Sequence, residues 1–475
     1  MTTKNTTDSG KLDLTKKSLT AWEKYSKDEI EAVFAYNKGY MDFMSSCKTE
    51  RECVDEFITR AEKAGYKNLK TIIAEGKELK PGDKVYANNM GKALALFLIG
   101  NEPLENGLKI LGAHIDSPRI DIKQNPLYED SNLAMLDTHY YGGIKNYQWV
   151  TIPLAIHGVF IKSDGTKVNM VIGEEDDDPV IGISDLLVHL AADQLQKSLS
   201  KGIEGENLNI LVGSIPIEDK DAKERVKINI LSLLHDKYGI TEDDFVSAEL
   251  EVVPAGKARH YGLDRSMVMA YGQDDRVCAY TSFDALLQMT EVDKTAVALL
   301  VDKEEVGSIG ATGMQSKFFE NVVAEVMDRA GQYSELKLRR TLSNSKMLSS
   351  DVSAAFDPNY PEVMEKKNAA YIGKGIAFNK YTGIRGKYSS NDANPEYIAE
   401  IRRMLDKHGV TWQTAELGKV DQGGGGTIAY ILAHYDMEVI DCGVALLNMH
   451  SPWEIASKAD IYEAMKTYKT FLLEA

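Results

Sequence analysis

The stretch TAVALLVDKEEVGSIGATG, residues 295–313, runs from an unbroken apolar segment into two adjacent glutamates and a glycine-rich turn. Its apolar part, residues 295–301, reads as a short, fully buried strand of the kind found in the parallel sheets of α/β proteins. A buried strand does not itself call for Glu304 and Glu305 behind it. A solvated strand end beside a helix N-terminus would accommodate such acids. The chemical reading is sharper. Side chains alternate between faces along a strand, so two adjacent glutamates at a strand end have different surroundings and different tasks. One is then placed to bind a metal and the other to handle a proton.

The bulk numbers narrow the classes. A chain of 475 residues can bury a large core and form more than one structural unit. Hydrophobic residues at 43% and charged residues at 27% are ordinary for a soluble globular protein. A formal net charge of -17 argues against nucleic acid and anionic membrane as partners, since both call for clustered Lys and Arg. The opening MTTKNTTDSGKLDLTKKS has no apolar leader core, and no stretch approaches the roughly 18 continuous apolar residues of a membrane span. A cytoplasmic protein is expected. Cys47, Cys53, Cys278 and Cys442 share no C-x-x-C spacing, so reduced thiols are expected and any metal must be held by His, Asp and Glu.

Along the chain, the polar first 15 or so residues predict a mobile tip. Ser26 with Glu29 fits a capping box, and the apolar spacing after it predicts a helix over residues 28–46. KILGAHIDSP, residues 109–118, reads as a strand with a histidine at its end. From about residue 118 the texture becomes short apolar alternations. GVFIKSDGTKVNMVIG, residues 158–173, reads as a hairpin turning at Asp164-Gly165. EEDDDP, residues 174–179, reads as a solvated loop, and ISDLLVHLAADQLQK, residues 183–197, as a helix. Strand followed by acids resumes with MVMAYGQDDR at 267–276. Residues 121–262 therefore form an expected β-rich insert in a discontinuous α/β domain made of residues 1–120 and 263–475. QGGGGTIAYILAHY, residues 422–435, lacks the Lys-Ser/Thr ending of a phosphate loop and reads as a turn into a helix. The tail places Ile461, Met465, Tyr468 and Leu472 on one helical face.

Four further stretches match the glutamate pair: GAHIDSP (112–118), YGQDDRV (271–277), LSSDVSAAF (348–356) and NMHSPWE (448–454). Each sets a metal-competent side chain at a strand-to-loop junction. Singly they say little, because a lone histidine such as His114 is more often a hydrogen-bonded structural residue, and a lone aspartate such as Asp351 more often still a turn former. The carboxyl ends of the strands in an open α/β sheet gather in one crevice, however, so distant residues can meet there. Two histidines and three carboxylates suit two zinc ions if one carboxylate bridges them. Two ions bring about +4, three carboxylates about -3 and a hydroxide about -1, which balances and leaves one glutamate as a base.

In the order AHIDSP, DDR, DKEEVGSIGATG, SSDVSAAFDPNY and VALLNMHSPWEI, with YYGGIKNYQW (140–149) in the insert, the chain resembles the co-catalytic zinc aminopeptidases of the aspartyl aminopeptidase and vacuolar aminopeptidase I family, closest to its bacterial branch. The resemblance spans nearly the whole chain. It implies an α/β, mixed-sheet zinc-peptidase catalytic domain flanked by helices and interrupted by a β-rich dimerisation domain. It also implies two Zn²⁺ per subunit, with Mn²⁺ or Co²⁺ fitting the same donors. By the resemblance, His114 and Asp351 hold one ion, Asp274 bridges, and Glu305 and His450 hold the other. Asp116 would orient the His114 ring, and Glu304 would be the general base and then the acid. The implied reaction releases the N-terminal residue from short peptides with a free N-terminus, inside a homo-oligomer, a dodecamer built from dimers.

Three positions depart from the family pattern. Ala354 stands where aspartyl-specific members have a histidine, Asp357 where a second is usual, and Tyr147 where a histidine reaches the neighbouring subunit's site. Acidic and neutral N-terminal residues therefore both stay open as substrates. Lys380 and Tyr388, in FNKYTGIRGKYSSN, are candidates for contacting a substrate carboxylate or carbonyl. Competing readings are a carboxypeptidase or deacylase on the same scaffold, or a non-catalytic, metal-bound, shell-forming scaffold. A glycosidase is disfavoured, since adjacent glutamates cannot flank a sugar bond from two sides.

Overall fold

The computed structural model describes residues 19–474, so the expected mobile tip lies outside the described residues. Four apolar runs form the centre of a nine-stranded sheet: β1 (Lys109–His114), β2 (Ala296–Val301), β3 (Lys346–Ser350) and β4 (Glu438–Gly443). Their spatial order is β2, β1, β3, β4, and all four are parallel. Ala93–Leu98 pairs antiparallel outside β2, and Ile376–Asn379 pairs antiparallel outside β4. The sheet is thus mixed, with a parallel heart whose carboxyl ends share one edge.

The runs are apolar throughout because both faces are covered. Leu111, Ala113, Ala298, Leu300, Leu348 and Ile440 pack on one side, against helices that include Lys27–Ser46, Gln273–Leu287 and Lys458–Glu474. The alternate residues Ile110, Val297, Leu299, Met347 and Val439 pack on the other, under Phe318–Arg329 and Glu335–Ser343. This is the period-two alternation of a strand between two helical layers. Each such large side chain contributes about 1.5–3 kcal/mol by leaving water. The first long helix starts where its cap residues say, Ser26 accepting from Glu29 N and the Glu29 carboxylate from Ser26 N. The last buries Ile461, Met465, Tyr468 and Leu472.

Residues 119–254 build a separate six-stranded sheet, antiparallel throughout, in the order Lys167–Ile172, Leu154–Ile161, Ala248–Pro254, Arg119–Asp130, Leu133–Tyr141, Ile210–Gly213. It has its own apolar cluster around Trp149, Phe160 and Phe245. The hairpin turning at Asp164-Gly165 is present. Two local expectations fail here. Residues 183–197 make only the single turns Val188–Leu190 and Gln194–Gln196, and Leu187, Leu190 and Leu195 are 59–73% exposed. An amphipathic segment of that length needs a surface to pack on, which the described residues do not offer it. Within the acidic run, Glu174 is not solvated but drawn inward by Lys48 and His157. The four cysteines are buried and unpaired by disulfides. Among the described residues no helix is long and apolar enough to cross a membrane.

Candidate active site

His114 is the last residue of β1, Asp351 follows β3, and Glu304 and Glu305 follow β2, so the parallel register delivers all four to one edge. Asp274 enters at the start of the helix Gln273–Leu287, and His450 from the loop before Glu454–Ser457. The separation of the two glutamates has a different cause from strand alternation. The strand stops at Val301, Lys303 turns left-handed at φ 71°, and Glu304–Val306 forms one 3-10 turn closed by Gly307 at φ 95°. Three residues per turn rotate neighbours by about 120°. Glu304 Oε2 accordingly lies 3.8 Å from His114 Nε2, and Glu305 Oε1 lies 3.6 Å from His450 Nε2.

Asp274 sits between the histidines, its Oδ1 3.3 Å from His114 Nε2 and its Oδ2 3.3 Å from His450 Nε2. Asp351 Oδ1 is 3.9 Å from His114 Nε2. Both rings are held from behind. His114 Nδ1 faces the Asp116 carbonyl at 3.0 Å, and His450 Nδ1 faces the Gly143 carbonyl at 2.9 Å. A carbonyl can only accept, so each Nδ1 carries a proton; each Nε2 would give its lone pair to a bound metal and otherwise donates a proton toward Asp274. Asp116, fully buried, gathers four donors. Its Oδ1 receives Glu304 N and faces His114 Nδ1, and its Oδ2 receives Glu305 N and the Tyr141 hydroxyl. Glu454 accepts from His450 N at 2.8 Å and Asp274 N at 3.0 Å, and Ser117 Oγ donates to the Asp274 carbonyl.

The cluster is electrostatically incomplete without cations. Burial, reinforced by Asp274, raises Glu305 well above the usual carboxylate range and Glu304 to about 7. Burial and the neighbouring Asp275 and Glu304 raise Asp351, against the opposing pull of His114. Burial favours a neutral ring at His450, yet Asp274 and Glu305 outweigh it and push the ring up to about 10. Against its own burial, Asp274 is held low by hydrogen bonds from both histidines. Glu305 Oε1 is buried with no hydrogen-bond partner. Donor sets of imidazole and carboxylate within 4.8 Å of one another, His114 with Glu304 and Asp351 and His114 with Asp274 and Glu305, suit zinc by both type and number. The residues present therefore fit the metal.

A cavity of ≈ 530 Å³ opens on the cluster and is walled by Ala354, Asn379, Thr427, Tyr430 and Asp441 among others. Ala354 thus faces the substrate space, while Asp357 caps its own turn by accepting from Asn359 N. The remaining substrate candidates do not join this wall. Lys380 is ion-paired with Asp392, Tyr388 is 74% exposed, and Tyr147 lies on the turn Asn146–Gln148, 38% exposed. Sequence reasoning missed Tyr141, Gly143, Glu454 and Asp441. The first two lay in the quoted YYGG stretch and Glu454 in NMHSPWE; the Gly143 and Glu454 roles run through backbone atoms that no side-chain pattern reports, and the Tyr141 hydroxyl meets Asp116 only in the fold.

A half-parallel α/β sheet with imidazoles and carboxylates gathered at its strand ends defines the metal-dependent peptidases as the class. The pattern of the aminopeptidase I zinc metalloproteases, M18, matches residues 43–472, and the chain belongs to that family as a zinc-family aminopeptidase. It is 69% identical over 460 residues to a probable M18 family aminopeptidase 1 of Clostridium acetobutylicum, covering 97% of this chain and 99% of that one. The crystal structure of an M18 aminopeptidase from Thermotoga maritima superposes with a TM-score of 0.92 at 45% identity, covering 97% of this chain and 100% of that one. A yeast protein described as the mApe1 dodecamer shares the fold at a TM-score of 0.74 and 22% identity, covering 91% of this chain and 95% of that one.

Proposed function

We propose that this chain removes the N-terminal residue from short peptides, using two zinc ions and Glu304 as the proton carrier. The observation that carries the reading is Asp274, whose two oxygens each lie 3.3 Å from the Nε2 of a different histidine. That is the disposition of a bridging carboxylate. His114 and Asp351 would hold one ion, Glu305 and His450 the other, and Asp274 both. Bound zinc supplies polarisation of the scissile carbonyl and a lowered pKa for water near it. Glu304, closest to the His114 side, takes the water's proton and returns it to the leaving amine. Asp116 fixes both glutamates by their backbone N–H groups, so the base and the ligand keep their separate directions. Mn²⁺ and Co²⁺ suit the same oxygen and nitrogen donors.

The six-stranded sheet of residues 119–254 belongs in this reading to an inserted unit, residues 121–262, that mediates assembly and restricts access. Its exposed leucines at 186–199 support a further surface meeting it, and the yeast dodecamer of the same fold supports a homo-oligomer, which this reading takes to be a dodecamer built from dimers. The test is release of the first residue from paired free and N-acetylated peptides by chelated enzyme reloaded with Zn²⁺, Mn²⁺ or Co²⁺. Metal-dependent cleavage of only the free peptides is expected. Cleavage of acetylated peptides would point to a deacylase or carboxypeptidase, and two bound ions with no turnover to a scaffold.

A further inference from the structure

The far wall of the cavity contains a row of polar groups that the hydrolytic step does not use. Ser349 on β3, Asp441 on β4 and Asn379 on the next strand are direct register partners, so they stand side by side on one face of the sheet. They are 0%, 1% and 8% exposed. Nevertheless both Asp441 oxygens, Asn379 Oδ1 and Ser349 Oγ have no hydrogen-bond partner. Burial raises the Asp441 carboxyl to about 7 and the nearby Thr427 and Ser349 hydroxyls pull it back down, yet neither hydroxyl reaches hydrogen-bonding geometry, and Asn379 donates its Nδ2 to Ser353 Oγ. Buried polar groups are nearly always satisfied, and leaving a carboxylate bare is among the costlier exceptions. Asp441 and Asn379 line the same cavity as Asp274, Glu304, Asp351 and His450.

We infer that Asp441 and Asn379 form the subsite for the side chain of the substrate's first residue, and that this side chain is cationic, as in lysine or arginine. The inference rests on the aminopeptidase reading, because only then does the first residue's side chain enter the space beside the metal cluster. Three of the four orphan atoms are pure acceptors, so the missing ligand is a donor. An ammonium group brings three N–H donors and no acceptor, and a guanidinium five. Glu416 adds a second carboxylate to the wall, which among the described residues carries no Lys or Arg. An acidic first side chain would meet two carboxylates and no cation there, and Lys380, which could have supplied one, is committed to Asp392.

The experiment compares kcat/KM for peptides identical except for a first residue of lysine, arginine, norleucine or glutamate. Norleucine keeps the four-carbon stem of lysine without its ammonium group, so the lysine-to-norleucine ratio isolates what the subsite does for that group. Wild type is expected to favour lysine by about tenfold or more, as one close buried charge pair allows. Asp441→Asn, which keeps the shape and removes the charge, is expected to lower that ratio about tenfold. To keep the test independent of the variant's folding, inhibition of wild type by free lysine against free norleucine is measured as well, with lysine expected to bind more tightly. Equal treatment of lysine and norleucine by wild type would overturn the inference, as would an unchanged ratio in a folded Asp441→Asn protein; the row would then hold only water. Cleavage of none of the peptides would instead remove the aminopeptidase reading beneath it.

Discussion

Replacing Asp116 by Asn tests how the buried carboxylate behind His114 sets the metal centre. The oxygen that becomes an NH₂ group can no longer accept, so one pair of its donors is lost. On the Oδ1 side these are Glu304 N and His114 Nδ1, and on the Oδ2 side Glu305 N and the Tyr141 hydroxyl. The amide will settle toward Tyr141, because a hydroxyl rotates and can accept where a backbone N–H cannot. The net loss is then one hydrogen bond to a charged acceptor, at Glu305 N, about 1.5–3 kcal/mol. That corresponds to the roughly 10–100-fold weakening of metal affinity that follows when a ligand's outer support is removed. It should fall on the ion held by Glu305 and His450, leaving the other nearly as tight. Zinc titration against a competing chelator, with stoichiometry per chain, reads both affinities. Two sites within about twofold of wild type would refute the reasoning.

Glu304→Gln should retain zinc at wild-type stoichiometry while turnover falls by about three orders of magnitude or more, measured on the best free peptide. Chelation should lower the melting temperature, since bare carboxylates repel; free zinc at a thousand times Kd stabilises by ~4 kcal/mol per site, and a scan with and without chelator decides it. Gly142→Ala should cost about 1–2 kcal/mol in left-handed strain. Its new Cβ, built at φ 73°, would also lie 3.2 Å from Glu305 Cβ, so activity should drop further than urea unfolding alone explains. The fourth concerns His157, where burial favours the neutral ring but the hydrogen bonds it donates to Glu174 and Glu52 prevail and raise its pKa above 6.5. A raised histidine contributes most below its unfolded pKa and loses that contribution as pH climbs through the folded one. The stability advantage of wild type over His157→Gln should therefore be larger at about pH 6 than at about pH 9. An advantage that grows with pH would contradict this assignment.

The strands of the central sheet were legible because each is apolar, short and followed by polar punctuation, which helices on both faces require. Of the five metal-ligand candidates, His114, Glu305 and Asp351 were legible for the same reason, at or just after such a strand end, while Asp274 and His450 follow short strands of another sheet, at a helix start and in a loop. What pattern could not give was the cause of the Glu304 and Glu305 divergence, which depends on a left-handed Lys303. Nor could it give the Gly143 carbonyl behind His450, since a glycine announces only its freedom, not its acceptor. Asp441 hid inside a strand, where an acid reads as noise until the neighbouring strands bring Ser349 and Asn379 beside it. The failed helix at 183–197 shows the reverse error, a good periodicity without a surface to receive it.

The hydrogen bond from His450 to the Gly143 carbonyl joins residues 307 positions apart in sequence. Its consequence concerns synthesis. A nascent chain carries His114 and Asp274 long before His450 leaves the ribosome, and any fragment that stops short of it holds an unfinished site. The peptide-cutting centre is thus assembled last, from both ends of the translated message. On the proposed reading, a product truncated before residue 450 lacks a ligand and is expected to be inactive.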